Sequence, residues 1–258
     1  MPSPLAIVIT GASSGIGAAL AQRYAGTGVT LGLMGRSEER LKAVASACSL
    51  KGATVETGIA DVQDKAAMKQ WLTTFHAEHP VDLLIANAGI SAGTGGGGES
   101  EQQTRDIFAT NVEGVFNSVL PVIPLMQARK WGQIAIMSSL ASIRGLPSCP
   151  AYSASKAAVR AFGEGLRGTL KADGINVSVI CPGYIRTPMT QVNTFPMPLI
   201  MSPEKAAGII MHGLARNQSR IAFPGILYYV LLLAGCFPLR ITDPFFAALP
   251  RKTGMEKA

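Results

Sequence analysis

A chain of 258 residues with 48% hydrophobic and 15% charged side chains can bury a substantial core, which argues against an intrinsically disordered protein. Its net charge of +7 is dispersed, with no basic block longer than Arg129-Lys130 or Arg251-Lys252 and no aromatics stacked between cations, so no nucleic-acid partner is expected. Four cysteines, Cys48, Cys149, Cys181 and Cys236, lie without pairing or ligand spacing and suit reduced thiols.

Met1 to Pro4 run into LAIVIT without a basic region or a small-residue cleavage site, so a cytoplasmic protein is expected. Short apolar runs at 5–10, 29–34, 53–57, 81–86, 132–138 and 175–180 then alternate with segments of helical length and pattern. Strands alternating with helices form crossover units, which build a parallel sheet covered on both faces. The expected architecture is a single α/β domain over residues 1–258, a Rossmann-type doubly wound parallel sheet with helices on both faces. Ligands of such sheets bind beyond the carboxyl ends of the strands, so the strand ends are where chemistry is sought.

The first run ends in TGASSGIG, Thr10 to Gly17. Gly11, Gly15 and Gly17 allow a sharp turn and close backbone approach to a pyrophosphate at the following helix N-terminus. Glycine also serves ordinary strand-helix turns, but here the strand stands before it and the helix after it. The second run ends at Arg36, with no acid in the position that grips a ribose 2'-hydroxyl. An arginine there accommodates a 2'-phosphate, which favours NADP(H), with NAD(H) as the second option. Ser37 is read as the cap of the helix that begins SEER.

Further along, His76 and His79 form H-x-x-H without a third ligand and are read as solvated surface, so no metal is expected. GTGGGGE, Gly93 to Glu99, reads as a surface loop after a strand, with a flap over a site as the alternative. Asn111 falls inside a long helical segment between about 100 and 129, where a polar kink is the plain reading. Ser138 and Ser139 close the fifth run. Tyr152 and Lys156 then stand four apart in PAYSASKAAVR, and so share one helix face. A cation beside a phenol favours the phenolate, which would loosen the proton of Tyr152. Three prolines between 188 and 198 mark residues 186–202 as an irregular insertion.

Taken in order, TGASSGIG, ADV at 60–62, NAG at 87–89, Asn111 in TNVEGVF, Ser139 in IMSSLAS, the Y-S-A-S-K run and CPGYIRT at 181–187 resemble the short-chain dehydrogenase/reductase family over about residues 5–190. The resemblance implies an oxidoreductase that interconverts an alcohol with a ketone or aldehyde. It makes Tyr152 the general acid and base, and Lys156 the cation that lowers its pKa and holds the nicotinamide ribose. Ser139 would bind the substrate oxygen, and Asn111 would anchor a water linking Lys156 to solvent. Gly11, Ser13, Ser14, Gly15, Ile16 and Gly17 would cradle the dinucleotide. Asp61 and Val62 would flank the adenine, Asn87, Ala88 and Gly89 would border the cleft, and Pro182, Gly183, Ile185 and Thr187 would meet the nicotinamide. The family also implies a homodimer or homotetramer. A non-catalytic nucleotide-binding or redox-sensing scaffold is the alternative, disfavoured by the complete Ser139, Tyr152 and Lys156 set.

Leu140, Ile143, Leu146 and Cys149, with Pro188, Met189, Phe195, Met197, Leu199 and Ile200, suggest an apolar pocket wall for a lipid, steroid or long acyl ketone, with a sugar derivative as the alternative. Arg220 to Arg240 encloses nineteen uncharged residues. By family likeness RIAFP is the last strand, which leaves Ile226 to Phe237 as an apolar helix too short to span a bilayer. Being apolar nearly all round, it is expected to be buried. Packing against the insertion as part of the substrate pocket is one place for it; the extension 225–258 is assigned first to a surface or interface of a homo-oligomer, second to peripheral membrane contact through 225–240, and last to a span.

Overall fold

The computed structural model describes residues 5–91, 99–191, 193 and 196–248. Phe195 and most of the glycine-rich run at 93–99 therefore lie outside the described residues. Seven strands form one parallel sheet in the order β3-β2-β1-β4-β5-β6-β7. They are β1 (Ala6–Thr10), β2 (Thr30–Gly35), β3 (Thr54–Ile59), β4 (Leu83–Ala86), β5 (Gly132–Met137), β6 (Ile175–Pro182) and β7 (Arg220–Phe223). The helices are α1 (Gly15–Tyr24), α2 (Glu38–Ser49), α3 (Lys65–Glu78), α4 (Glu101–Phe108), α5 (Gly114–Val119), α6 (Ile123–Arg129), α7 (Pro150–Thr169), α8 (Pro188–Gln191), α9 (Pro203–Ala215), α10 (Gly225–Gly235) and α11 (Leu239–Ala247).

β1, β4 and β5 are buried along their whole length, as strands covered on both faces must be. Alternate residues feed opposite layers: Ile7 and Ile9 join one core with Leu20 and Ile210, while Val8 joins the other with Leu72 and Val159. Strand order reverses between β1 and β4, which opens a crevice at their carboxyl ends. The long helix expected over 100–129 is instead broken twice. A π-helical turn, Ala109–Glu113, follows α4, and the chain leaves the helix at Pro121, which has no N–H to continue the ladder.

Two further expectations are corrected. Ser37 stands at the N-cap of α2 but its side chain caps nothing. His76 and His79 are half-buried and bonded, not solvated: His76 Nδ1 accepts from the Val81 N–H at 3.2 Å, and His79 Nε2 meets Glu56 at 2.8 Å.

β7 forms where RIAFP was expected, but the apolar helix after it is not buried. No residue of α10 is fully buried. Leu227, Tyr228 and Leu231 pack against Leu140, Val179 and Cys181. The other row faces away. Among the described residues no helix is long and apolar enough to cross a membrane.

Candidate active site

The crevice above β1 and β4 is a cleft of about 280 Å³. Its floor depends on glycine. Gly11 and Gly15 have φ of +65° and +55°, a region that side chains rarely adopt. A Cβ on Gly17 would lie 2.3 Å from the Gly11 carbonyl oxygen, so Gly17 lets α1 pack on its own turn. Ser14 is the N-cap of α1 without a side-chain cap bond, which leaves first-turn N–H groups for an anion. Thr10 Oγ1 accepts from the N–H groups of Asn87 and Ala88 at 3.0 and 3.1 Å, and Asn87 Nδ2 donates to the Thr10 carbonyl at 2.9 Å. The ends of β1 and β4 are thereby locked together.

At the adenine end, Arg36 Nη1 lies 3.4 Å from Asp61 Oδ2, and Arg36, Ser37 and Arg40 all line the cleft. Arg40 was not expected there. Four residues beyond Arg36, it has no marker in SEER beyond an exposed cation.

At the other end the sheet edge delivers Ser139 just past β5, and α7 delivers Tyr152 and Lys156. Ser139 is extended at φ −164° and starts a short 3-10 turn, Leu140–Ser142, where its Oγ accepts from the Ala141 N–H at 3.1 Å. The Ser139 hydroxyl is hydrogen-bonded to Tyr152. Ser138 points the other way and donates to the Lys156 carbonyl at 2.8 Å, a bond that docks α7 on β5. Lys156 Nζ donates to the Met137 carbonyl at 3.0 Å and sits 5.8 Å from the centre of the Tyr152 ring. A Cβ on Gly89 would come 3.0 Å from Asn111 Oδ1 and 3.2 Å from Lys156 Nζ, so glycine keeps that corner open.

Burial pushes the Tyr152 phenol up to about 12, against a downward pull from its Ser139 hydrogen bond. Burial also pushes the Lys156 ammonium down to about 8. The expected lowering of Tyr152 by the lysine is thus not the governing effect: the cost of desolvating both charged forms outweighs it.

Every residue expected at the cofactor except Gly17 lines this single cleft, as do Ser139, Tyr152 and Lys156. Gly17 lies behind the turn. Asn111, completely buried, does not line it either. Asn111 Oδ1 accepts from the Ile90 N–H at 2.8 Å, and its Nδ2 donates to the Ile90 carbonyl and to Ser155 Oγ at 2.9 and 3.0 Å. Asn111 therefore ties the segment after β4 to α7. The π turn swings it inward to do so.

The expected apolar wall is mostly elsewhere. Pro188 and Met189 line the cleft. Leu140 is packed against α10, and Leu199 is half exposed. Leu146 lines a separate hollow with Ala141, Pro147 and Ala154, on the other side of the α7 start.

Glu99 is a second residue that went unforeseen. Its carboxylate accepts from the N–H groups of Ala151, at 2.5 Å, and Tyr152, at 3.3 Å. These are orphan donors in the first turn of α7, whose N-cap Cys149 supplies no side-chain bond. Glu99 immediately precedes Ser100, the N-cap of α4. One residue thus joins the start of the helix leading to Asn111 with the start of the helix carrying Tyr152. Its position at the end of a glycine run holds no signal of this.

A family model described as short chain dehydrogenase matches residues 5–195. An uncharacterised oxidoreductase of Myxococcus xanthus (strain DK1622) is 35% identical over 246 residues, covering 95% of this chain and 96% of that protein. The 3-oxoacyl-(acyl-carrier-protein) reductase of Chlamydia muridarum (strain MoPn / Nigg) is 31% identical over 227 residues, covering 83% of this chain and 91% of that one. A variant of actinorhodin polyketide ketoreductase, crystallised with NADPH, superposes with a TM-score of 0.76 at 25% identity, covering 86% of this chain and 97% of that one.

Proposed function

From the premise that this chain belongs to the short-chain dehydrogenase family, we propose that it is an NADP(H)-dependent oxidoreductase that interconverts a ketone and a secondary alcohol on an apolar, acyl-like substrate. The observation that carries this reading is the Tyr152 phenol, hydrogen-bonded to Ser139 at the cleft with Lys156 one turn on.

The cleft suits a nicotinamide dinucleotide because its floor admits no Cβ at Gly11 or Gly15 and presents the N-terminus of α1. When bound, that cofactor supplies the hydride for the carbonyl carbon or takes it from the alcohol carbon. The chain's own groups do the rest. A phenol held near 12 is fully protonated at neutral pH, so Tyr152 is a loaded proton donor for reduction. Ser139 donates to the carbonyl oxygen and aligns it with the Tyr152 hydroxyl, which gives that oxygen its proton as the alcohol forms. In oxidation the step runs backwards: the Tyr152 phenolate takes the alcohol's proton while Ser139 Oγ keeps its hydrogen bond to the same oxygen. Lys156, pushed down to about 8, keeps its charge at neutral pH yet lies close enough to that value to pass a proton on. Asn111 acts through position, holding α7 against the segment after β4.

Arg36 and Arg40 favour the 2'-phosphate form, since two guanidinium groups four residues apart both line the adenine end. Pro188 and Met189 give the substrate side an apolar face. The relatives described above as reductases of oxoacyl and polyketide substrates support an acyl ketone. A reducing, cytoplasmic setting accords with the buried thiols of Cys48, Cys149 and Cys181. A screen of 3-oxoacyl thioesters and simple ketones, following NADPH absorbance with NADH in parallel, tests the reading. Turnover of an oxoacyl thioester with NADPH supports it, and turnover confined to NADH or to polar sugars refutes it.

A further inference from the structure

α10 shows two unlike faces. The row of Leu227, Tyr228 and Leu231 packs behind the active site, and Arg220 Nη1 donates to Tyr228 Oη at 2.9 Å. The row of Ile226, Tyr229, Val230 and Leu233 is bare, at 71%, 69%, 58% and 62% exposure. Phe237, Leu239, Ile241 and Phe245 extend the exposed apolar surface through α11. Eight large apolar side chains exposed within twenty residues exceed the scattered hydrophobics of an ordinary surface and mark a contact site.

We propose that this face rests on an anionic phospholipid bilayer, with α10 lying in the plane of the headgroups. Charge separates a lipid surface from a second copy. From residue 221 onward the cations are Arg240, Arg251, Lys252 and Lys257, and the acids are Asp243 and Glu256. Asp243 is paired with Arg144 at 2.6 Å, so the sequence around the apolar row is basic. Among the described residues Arg240 stands exposed between bare Leu239 and Ile241, a charge that anionic headgroups would meet with opposite sign and a second copy of the face would meet with its own. Tyr229 has the amphipathic ring that settles at headgroup level, Phe237 and Phe245 supply apolar bulk for the acyl boundary, and eleven helical residues reach only about 16 Å, which suits a helix lying flat.

The test is flotation of the full-length protein with vesicles of phosphatidylglycerol and phosphatidylcholine, and with phosphatidylcholine alone. The expected result is recovery with the anionic vesicles, weaker with the neutral ones and falling as salt rises. The double variant Val230→Asp, Leu233→Asp should lower the vesicle-bound fraction by about tenfold or more while its circular dichroism and melting curve stay unchanged. Failure of the folded wild type to float with anionic vesicles overturns the proposal. So does an oligomer in solution that the double variant dissociates while vesicle binding is absent, which would make the face a subunit interface.

Discussion

Lys156 Nζ stands 5.8 Å from the centre of the Tyr152 ring and spends a hydrogen bond on the Met137 carbonyl at 3.0 Å. The pair is adjacent, as their spacing on one helix requires, yet burial moves the two groups in opposite directions, the phenol up and the ammonium down. The site is therefore built as a protonated acid beside a reluctant cation.

That reluctance has a cost in stability. The folded-state value of Lys156, about 8, lies below the ordinary 10.5, so folding disfavours its charged form. The penalty is fully present below pH 8, shrinks as pH rises from about 8 to 10.5, and is absent above. It is on the order of 3 kcal/mol, less about 1 for the lost bond to Met137. Lys156→Met is expected to raise the melting temperature by about 4 °C at neutral pH, with the gain vanishing at high pH, while turnover is lost. A melting series across pH checks this. A variant that melts lower than wild type at neutral pH contradicts it.

Glu99→Ala removes the carboxylate bonded to the Ala151 and Tyr152 N–H groups. The expected loss is about 1–2 kcal/mol of stability and about tenfold in kcat, with KM for NADPH nearly unchanged because the glycine turn is untouched. Glu99→Gln keeps one acceptor oxygen and should fall between. Equal kcat in all three proteins would show that the clamp does not position Tyr152.

Arg36→Asp should reverse the preference from NADPH to NADH, by removing a phosphate partner and offering the ribose hydroxyl an acceptor. Arg40→Ala should weaken NADPH by about tenfold and leave NADH unaffected. Cofactor titrations by fluorescence quenching decide it, and a variant pair that weakens both cofactors equally contradicts the assignment.

The sheet was legible because buried parallel strands are short apolar runs with glycine or polar ends, and the observed strands start and stop within about two residues of those runs. Arg36 was legible from its place at the end of β2. Arg40 was not, since a solvated helix face also carries arginine. Glu99 depends on two segments, β4 to α4 and the start of α7, that meet only in three dimensions. Asn111 was identified by its surroundings in sequence, but the π turn that buries it behind the cleft leaves no periodic signature. α10 misled for a related reason: a helix apolar on all sides carries no information about which side meets the core.

The central claim is that the Tyr152 hydroxyl delivers the proton in an NADPH-dependent carbonyl reduction. The most direct measurement compares wild type with Tyr152→Phe in single-turnover reduction of a 3-oxoacyl thioester, after NADPH binding has been measured separately in each. The account predicts NADPH affinity within about twofold and a rate lower by roughly 10²-fold or more, the scale of lost general acid catalysis. A Tyr152→Phe protein that binds NADPH normally and reduces the thioester at the wild-type rate would contradict it.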